Sequence, residues 1–189
     1  LQDYLKHFGA FADLGSAHLK VVIDPANGMG IVELPLFTTL SKNLDIVTIY
    51  NTLDMSFPNH EANPLKTETL GALRRKVLQE KADIGIAFDG DADRVGFVDE
   101  KGMPIPMDFI TALLAEVVLE KTPGATILYD LRSTQAVKEI IEEHGGIARE
   151  CRVGHAYIKK QMREEEAVFA GELSGHYYFK ENFTAESAG

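Results

Sequence analysis

The chain has 189 residues, of which 45% are hydrophobic and 25% are charged, a composition typical of a globular protein of one or two domains. Asp and Glu outnumber Lys and Arg by 29 to 19, so the formal net charge is −10 with His neutral. This acidic balance repels a phosphate backbone and argues against nucleic acid as a partner. An anionic substrate would need a local cluster of cations or a metal ion.

The chain has a single cysteine, Cys151, and cannot form an intramolecular disulfide, which predicts a reducing, cytoplasmic setting. Charged residues interrupt the first twenty positions, so no signal peptide is expected. The most apolar helical stretch, residues 109–119, is too short to span a membrane, and no membrane partner is expected. The chain starts at Leu1 without Met and stops without a closing element, which predicts a piece of a longer protein.

The first half of the chain alternates short apolar runs with stretches of helical spacing. Periodicity and turn residues predict strands at 19–24, 45–50, 83–88 and 95–99, helices at 30–40 and 65–81, and a long loop at 51–64. The link at 89–94 is too short for a crossover helix. The two strands that flank it are therefore expected to be antiparallel neighbours.

The pattern restarts after a turn and two prolines near residues 99–106. Helices are predicted at 109–120, 133–144 with a cap from Ser133, and 156–165, and strands at 126–130, 147–152, 167–170 and 176–179. The sequence therefore predicts an α/β fold of two similar three-layer domains, residues 1–100 and 101–189, each with a mixed, mostly parallel sheet.

The strongest local motif is Asp89-Gly-Asp-Ala-Asp-Arg94, which places three carboxylates at alternate positions of a short loop. Such crowding is unfavourable unless a cation neutralises it, and hard oxygen ligands suit Mg²⁺ or Ca²⁺. An EF-hand is rejected because Arg94 stands where that loop needs Gly and the flanks read as strands. A solvated acidic turn is the alternative. Arg94 beside the carboxylates indicates a phosphoryl group there.

The second motif is Gly171-Glu-Leu-Ser-Gly-His176, in which Glu172, Ser174 and His176 alternate on a loop bounded by glycines. Their donors and acceptors suit neighbouring sugar hydroxyls. The order of Gly and Ser does not match the nucleophile elbow of hydrolases, and a plain β-turn is the alternative. Arg132 and His155 are predicted at a strand end and a helix start, where α/β domains place ligands, although a lone arginine is usually a solvated surface charge and a lone histidine is most often structural.

Taken together, the acidic loop, the Val153-Gly-His155 segment and the 171–176 loop resemble the α-D-phosphohexomutases, closest to their phosphomannomutase/phosphoglucomutase branch. The segments Pro25-Ala-Asn-Gly28 and 58–64 are similar to that family too. The resemblance covers nearly all of the chain, but it corresponds only to the second and third of the family's four domains, the second preceded by an N-terminal linker helix and the third truncated at its C-terminus. It implies that the first domain, with its phosphoserine loop, and the fourth, with its phosphate-binding loop, are partners missing from this chain.

The resemblance also implies roles for individual residues. Asp89, Asp91 and Asp93 match the Mg²⁺ ligands, and Arg94 matches the arginine beside the phosphoryl group. Glu172 and Ser174 match the residues that bind sugar hydroxyls, and the surrounding active-site positions are matched by His155, His176 and Arg132. Some relatives have Lys at position 132. Because Arg hardly deprotonates, Arg132 is expected to stabilise charge rather than act as a general base, with His155 a candidate proton carrier.

The implied reaction is that of an intramolecular phosphotransferase: an isomerase of carbohydrate metabolism that interconverts hexose 1-phosphate and hexose 6-phosphate. It is Mg²⁺-dependent and proceeds through a hexose 1,6-bisphosphate intermediate, and hexose 1,6-bisphosphate is also the implied activator of the full-length enzyme, a phosphoprotein. Phosphoglucosamine mutase is the rival enzyme, although Ala92 and Leu173 depart from its usual Gly and Gln. Mannose and glucose are both left open as substrates. The chain alone is expected to be inactive, as a non-catalytic metal-binding or sugar-phosphate-binding module.

Overall fold

The computed structural model describes residues 6–7, 18–40 and 43–187. They form two compact units, which divide between Pro104 and Ile105. Each unit contains one five-stranded sheet with helices, which confirms the predicted α/β class. The expected N-terminal linker helix lies outside the described residues, apart from helical Lys6 and His7.

The first unit has five strands and two α-helices in the described part of the chain. Its strands are β1 (Leu19–Asp24), β2 (Leu44–Thr48), β3 (Ile84–Phe88), β4 (Val95–Asp99) and β5 (Pro104–Ile105), of which the last ends just past the division between the units; its helices are α1 (Leu34–Leu40) and α2 (Gly71–Glu80). The sheet order is β2-β1-β3-β4-β5. Strands β1, β2 and β3 are parallel and β4 is antiparallel to β3, as the short link between them predicts.

The second unit repeats this plan. Its helices are α3 (Met107–Lys121), α4 (Gln135–Glu143) and α5 (His155–Glu164), and its strands are β6 (Thr126–Asp130), β7 (Ile147–Cys151), β8 (Phe169–Gly171), β9 (Tyr177–Phe179) and β10 (Glu186–Ser187). The sheet order is β7-β6-β8-β9-β10. Strands β6, β7 and β8 are parallel and β9 is antiparallel to β8. The second sheet therefore has the strand order of the first, with β6 in the place of β1 and β8 in the place of β3.

Each sheet is held by its own hydrophobic core. Leu73 and Val77 of α2 are fully buried against β1 and β3, and Gly85 allows the close approach, because a Cβ there would lie 2.7 Å from a Val77 methyl carbon. In the second unit, Ile158 and Met162 of α5 are buried in a cluster with Tyr178 of β9. In each unit the packing of a helix against the sheet thus holds the parallel strands in place. None of the helices among the described residues is long and apolar enough to cross a membrane.

Three helix predictions differ from the structure at their first turns. Residues 30–40 form a 3₁₀ turn and then α1, because Pro35 lacks an N–H and disfavours helical backbone just before it. The region 65–70 forms turns and α2 begins only at Gly71; there the Thr69 hydroxyl bonds to the carbonyls of residues 63 and 66. The Ser133 cap is wrong: the N-cap of α4 is Thr134.

Candidate active-site loops

The acidic loop lies between β3 and β4, at the carboxyl end of the parallel strands of the first sheet. Carboxylate oxygens of Asp89, Asp91 and Asp93 all lie within 4.8 Å of one another. Asp89 is 1% exposed, whereas Asp91 is open to solvent and Asp93 is half-buried. Oxygen donors of this kind suit Mg²⁺ or Ca²⁺. The structure thus brings together the three residues that the sequence predicts as metal ligands.

Asp89 holds the loop in shape through its carboxylate. Its Oδ1 accepts the amide N–H groups of Asp93 and Arg94, each at 3.1 Å, and its Oδ2 accepts Nε of Arg94 at 2.6 Å. Oδ1 already accepts two N–H groups, but Oδ2 accepts only one and keeps a second lone pair for a cation, so these bonds are compatible with metal binding. Arg94 Nε also lies 3.8 Å from Asp93 Oδ1. The structure therefore places Arg94 next to the carboxylates, as the sequence predicts.

The turn after β1 packs against the acidic loop and supports it. The Met29 amide donates to the carbonyl of Gly90 at 2.9 Å, and a Cβ at Gly28 would lie only 2.6 Å from that same oxygen. Ala26 and Asn27 adopt the left-handed conformation, with φ of 49° and 59°. The glycines of this segment thus serve a structural turn between β1 and the helical residues that follow it.

A buried pair that the sequence analysis did not predict joins this turn to the 51–64 loop. Asp24, the last residue of β1, is 0% exposed; its Oδ1 accepts the Ala26 amide and its Oδ2 lies 3.0 Å from Nε2 of His60. The hydrogen bond to Asp24 raises the pKa of His60 above its usual value, against the opposing effect of burial. Asn59 donates to the Asn27 side chain in the same region. The 51–64 loop is therefore anchored to the turn after β1, and that turn contacts the acidic loop.

The 171–176 loop occupies the corresponding end of the second sheet, between β8 and β9. Glu172 is 3% exposed; its Oε1 accepts the Gly154 amide at 3.2 Å and its Oε2 accepts the Tyr178 hydroxyl at 2.7 Å. Burial by itself raises the pKa of the Glu172 carboxyl, but hydrogen bonds from His176, Tyr178 and Gly154 outweigh it and lower that pKa. Glu172 is therefore an ionised acceptor in a fixed position.

Ser174 and His176 meet in this loop. Ser174 Oγ lies 2.8 Å from His176 Nδ1, and Oε2 of Glu172 lies 3.5 Å from the same nitrogen. A catalytic triad instead uses the two different ring nitrogens of its histidine for the nucleophile and the acid. The arrangement therefore does not activate Ser174 as a nucleophile, in agreement with the mismatch to the hydrolase motif.

Arg132 is bound to the carboxylate of Asp130, the last residue of β6. Its Nε lies 3.0 Å from both carboxylate oxygens of Asp130, and Nη2 also donates to Oδ2. This hydrogen bonding raises the pKa of Arg132 above its already high value. Arg132 keeps its proton and is unsuited to act as a general base.

His155 is the first residue of α5 and is exposed. The residue before it, Gly154, has φ of 114° and donates its amide to Glu172, so His155 is held next to the 171–176 loop. Cys151, at the end of β7, is buried, and burial raises the pKa of its thiol to about 12. Its thiol is therefore protonated and not a nucleophile.

The second unit thus brings together Glu172, Ser174, His176 and His155 through the amide of Gly154, a residue of the Val153-Gly-His155 segment. It adds two residues that the sequence did not predict, Asp130 and Tyr178. A polar residue at the end of a buried strand is a signal that points to Asp130, as it does to Asp24. Tyr178 has no comparable signal, because it reads as a core residue of β9 until its hydroxyl contact with Glu172 is seen.

Comparison with known proteins places both units in one family. Residues 2–102 match the family profile of phosphoglucomutase/phosphomannomutase alpha/beta/alpha domain II, and residues 106–189 match that of domain III. The phosphomannomutase of Methanocaldococcus jannaschii is 42% identical over 182 residues, which are 96% of this chain and 40% of that protein. The phosphomannomutase/phosphoglucomutase of Pseudomonas putida is 42% identical over 166 residues, 87% of this chain and 35% of that protein.

Solved structures give the same result. The crystal structure of a phosphoglucomutase/phosphomannomutase family protein from Burkholderia thailandensis has a TM-score of 0.90 and 35% identity, and the match covers 99% of this chain and 41% of that one. The chain therefore spans about 40% of the length of such relatives. With both halves matched in order, the chain belongs to the phosphoglucomutase/phosphomannomutase family, of which it carries α/β/α domains II and III.

Proposed function

We propose that this chain supplies the metal-binding and sugar-binding parts of a phosphohexomutase, which interconverts hexose 1-phosphate and hexose 6-phosphate through a hexose 1,6-bisphosphate. The observation that carries the proposal is the convergence of Asp89, Asp91 and Asp93 within 4.8 Å, with Arg94 bound at their edge. Relatives named phosphomannomutase or phosphoglucomutase at about 40% identity support it. In this proposal residues 1–100 form the metal-binding domain and residues 101–189 the sugar-binding domain.

The acidic loop fits a divalent cation. Two of its three carboxylates are open enough to reach an ion, and Asp89 retains acceptor capacity beyond its bonds to Arg94 and the loop amides. Mg²⁺ bound there would supply positive charge to neutralise the transferring phosphoryl group. Arg94 adds a fixed cation at the same place, since Asp89 holds its Nε and leaves the Nη groups to donate to phosphoryl oxygens.

The 171–176 loop orients the sugar in this proposal. Glu172 accepts hydrogen bonds from sugar hydroxyls in its ionised form, and Ser174 and His176 add a hydroxyl and a ring nitrogen on the same loop. Hydrogen bonds to hydroxyls can be re-formed when the bisphosphate turns over, so one loop serves both poses. His155 is the candidate proton carrier, and Arg132, which keeps its proton, stabilises phosphate charge.

The partners in this proposal are a hexose phosphate and the first and fourth domains of a longer protein. The share of the relatives that the chain covers supports the second of these. Hexose 1,6-bisphosphate is the proposed activator. The single cysteine, Cys151, supports a cytoplasmic setting.

The test is to assay the full-length protein that carries this chain on glucose 1-phosphate, mannose 1-phosphate and glucosamine 1-phosphate, with Mg²⁺ and catalytic hexose 1,6-bisphosphate. We expect turnover of glucose 1-phosphate, mannose 1-phosphate or both to the 6-phosphate. The Asp91→Asn variant should lose it, and Glu100→Gln, which removes a charge from the turn after β4, should not. Preference for glucosamine 1-phosphate would instead identify a phosphoglucosamine mutase, and no turnover of any of the three would contradict the proposal.

A further inference from the structure

Asp130 joins two loops that come from different parts of the second unit. It ends β6 and is 0% exposed. Its Oδ1 accepts the amide N–H of Arg132 at 2.7 Å, and its Oδ2 accepts the amide N–H of Leu173 at 3.1 Å. Arg132 lies in the connection from β6 to α4, whereas Leu173 lies inside the 171–176 loop. A single buried carboxylate therefore fixes both loops at once.

The same carboxylate accepts hydrogen bonds from Nε and Nη2 of the Arg132 side chain. One edge of the planar guanidinium is thereby occupied, and its orientation is set as in a bidentate pair. The Arg132 side chain is still 44% exposed, so its outer edge is open to a ligand. Burial alone raises the pKa of Asp130, but its bonds with Arg132 and Leu173 lower that pKa, and the pair is charged near neutral pH.

We propose that Asp130 is a positioning residue for sugar-phosphate binding: it orients the Arg132 guanidinium and locks the Arg132 connection to the 171–176 loop. The inference rests on the proposed function, since it assigns the purpose of this coupling to that site. Asp24 ends the equivalent strand of the first sheet and likewise accepts the amide N–H two residues ahead. The bond across to Leu173 is the feature that links Asp130 to the substrate loop.

The first experiment needs no substrate and measures whether Asp130 holds the amides of Arg132 and Leu173. In the chain, we expect Asp130→Asn to speed amide hydrogen exchange of Leu173 and Arg132 about tenfold or more relative to core amides of β6, because a neutral amide cannot hold the guanidinium and both N–H groups equally. Glu116→Gln is the matched control, as it removes a carboxylate in the same unit that contacts His144. Unchanged exchange at Leu173 would overturn the inference.

The second experiment uses the full-length protein and a double-mutant cycle. We expect Asp130→Asn to raise KM for the sugar phosphate about tenfold with a smaller fall in kcat, and to have a smaller effect in the Arg132→Ala background, because part of its effect acts through Arg132 and the rest through the Leu173 amide. Additive effects in the cycle, or an unchanged KM, would overturn the inference. If the wild-type protein shows no turnover, the proposed function fails, and this outcome is distinct from a wild-type enzyme that tolerates Asp130→Asn.

A further variant covers the case in which Asp130→Asn does not fold. Asp130→Glu keeps the charge but displaces the carboxylate by one methylene, so the protein is expected to fold with Arg132 shifted and KM raised. A folded Asp130→Glu protein with wild-type KM would overturn the inference.

Discussion

Asp89 and Glu172 occupy the same position in the two sheets. Each is buried, follows the third parallel strand of its sheet and opens a loop to an antiparallel strand. The Asp89 amide donates to the carbonyl of Arg94 at 3.2 Å, and the Glu172 amide donates to that of His176 at 3.0 Å. In both loops the carboxylate also meets the side chain of that closing residue.

The two loops thus share a backbone arrangement but carry side chains that suit different ligands. In the first unit the intervening positions add Asp91 and Asp93, so the loop concentrates negative charge and suits a cation. In the second unit the intervening polar residue is Ser174, and the loop suits neutral hydroxyls. The repeated topology explains how a metal loop and a sugar loop arise at equivalent strand ends without a readable sequence repeat.

The close approach of Gly28 to Gly90 predicts that a methyl group at position 28 disturbs the acidic loop. Gly28→Ala places a Cβ 2.6 Å from the Gly90 carbonyl oxygen, and backbone must move, so we expect a loss of about 1–3 kcal/mol in the free energy of unfolding. Gly71→Ala is the control: its Cβ meets only the end of the Arg75 side chain, at 3.5 Å, and helix propensity predicts equal or greater stability. Urea unfolding of both variants checks this, and equal stability of the two would contradict it.

The acidic loop was predictable because its chemistry is local. Asp89, Asp91, Asp93 and Arg94 lie within six consecutive residues, so spacing alone brings them together. The contacts of Asp130 with Leu173 and of Glu172 with Gly154 join residues 43 and 18 positions apart, and they depend on β8 lying beside β6. The sequence pattern identifies strands but does not give their order, so these partners were found only in the structure.

Metal binding is predicted to depend on the exposed carboxylate of the loop. We expect the chain to bind Mg²⁺ weakly, because three carboxylates on one loop supply charge but few of the oxygen ligands that the ion takes. Asp91→Asn removes one charge and should weaken binding about tenfold or more. Isothermal calorimetry measures both proteins, with Glu100→Gln as the control that should bind as the wild type does. Tight Ca²⁺-selective binding that requires Glu100, which stands at the twelfth position of an EF-hand loop that begins at Asp89, would revive the EF-hand interpretation.

The Asp24–His60 pair predicts a pH dependence of stability in the first unit. Because the pKa of His60 is raised in the folded state, protonated His60 stabilises the fold below its ordinary pKa of about 6.5. That contribution is lost as the pH rises from there through the raised folded pKa. His60→Gln should remove this part of the pH dependence, because an amide does not titrate.

His144 must be separated from His60 in that measurement. Its pKa is also raised, through its bond to the Ile140 carbonyl and the nearby Glu116, and the effect on stability has the same sign. His144→Gln is therefore the matched variant in the second unit. Thermal unfolding between about pH 6 and 8, followed by amide signals of each unit, tests the assignment. A wild-type slope in the first unit of His60→Gln would contradict it.

Glu172 is predicted to contribute to turnover of the sugar phosphate and not to metal binding. In the full-length protein, Glu172→Ala removes an ionised acceptor and leaves the hydroxyl of Tyr178 and the Gly154 amide without their partner. We expect kcat/KM to fall by at least about a hundredfold, while Mg²⁺ binding by the acidic loop is unchanged. Steady-state kinetics and calorimetry on the same preparation test both parts. Glu172→Gln, which keeps the side chain's size, should recover part of the loss; unchanged catalytic efficiency in Glu172→Ala would remove Glu172 from the site.

The last prediction is that this chain alone has no mutase activity. It covers about 40% of the length of the relatives it resembles, and neither loop offers a phosphoryl donor. Ser174 is the one serine of the two loops, and its Oγ shares Nδ1 of His176 with Glu172, an arrangement that does not leave that histidine nitrogen to act as its base. A phosphorylated serine elsewhere would still lack the surrounding walls that exclude water from the transferring group.

The experiment incubates the purified chain with Mg²⁺, hexose 1-phosphate and catalytic hexose 1,6-bisphosphate and follows hexose 6-phosphate. We expect no turnover above that of the Asp91→Asn chain, although hexose phosphate should still perturb the amide signals of Leu173 and Ser174 in the wild-type chain. Binding without turnover is the result that separates an incomplete active site from a misfolded one. Sustained turnover that Asp91→Asn abolishes would instead show that these two domains form a complete enzyme, and that a phosphoryl donor lies within the 189 residues.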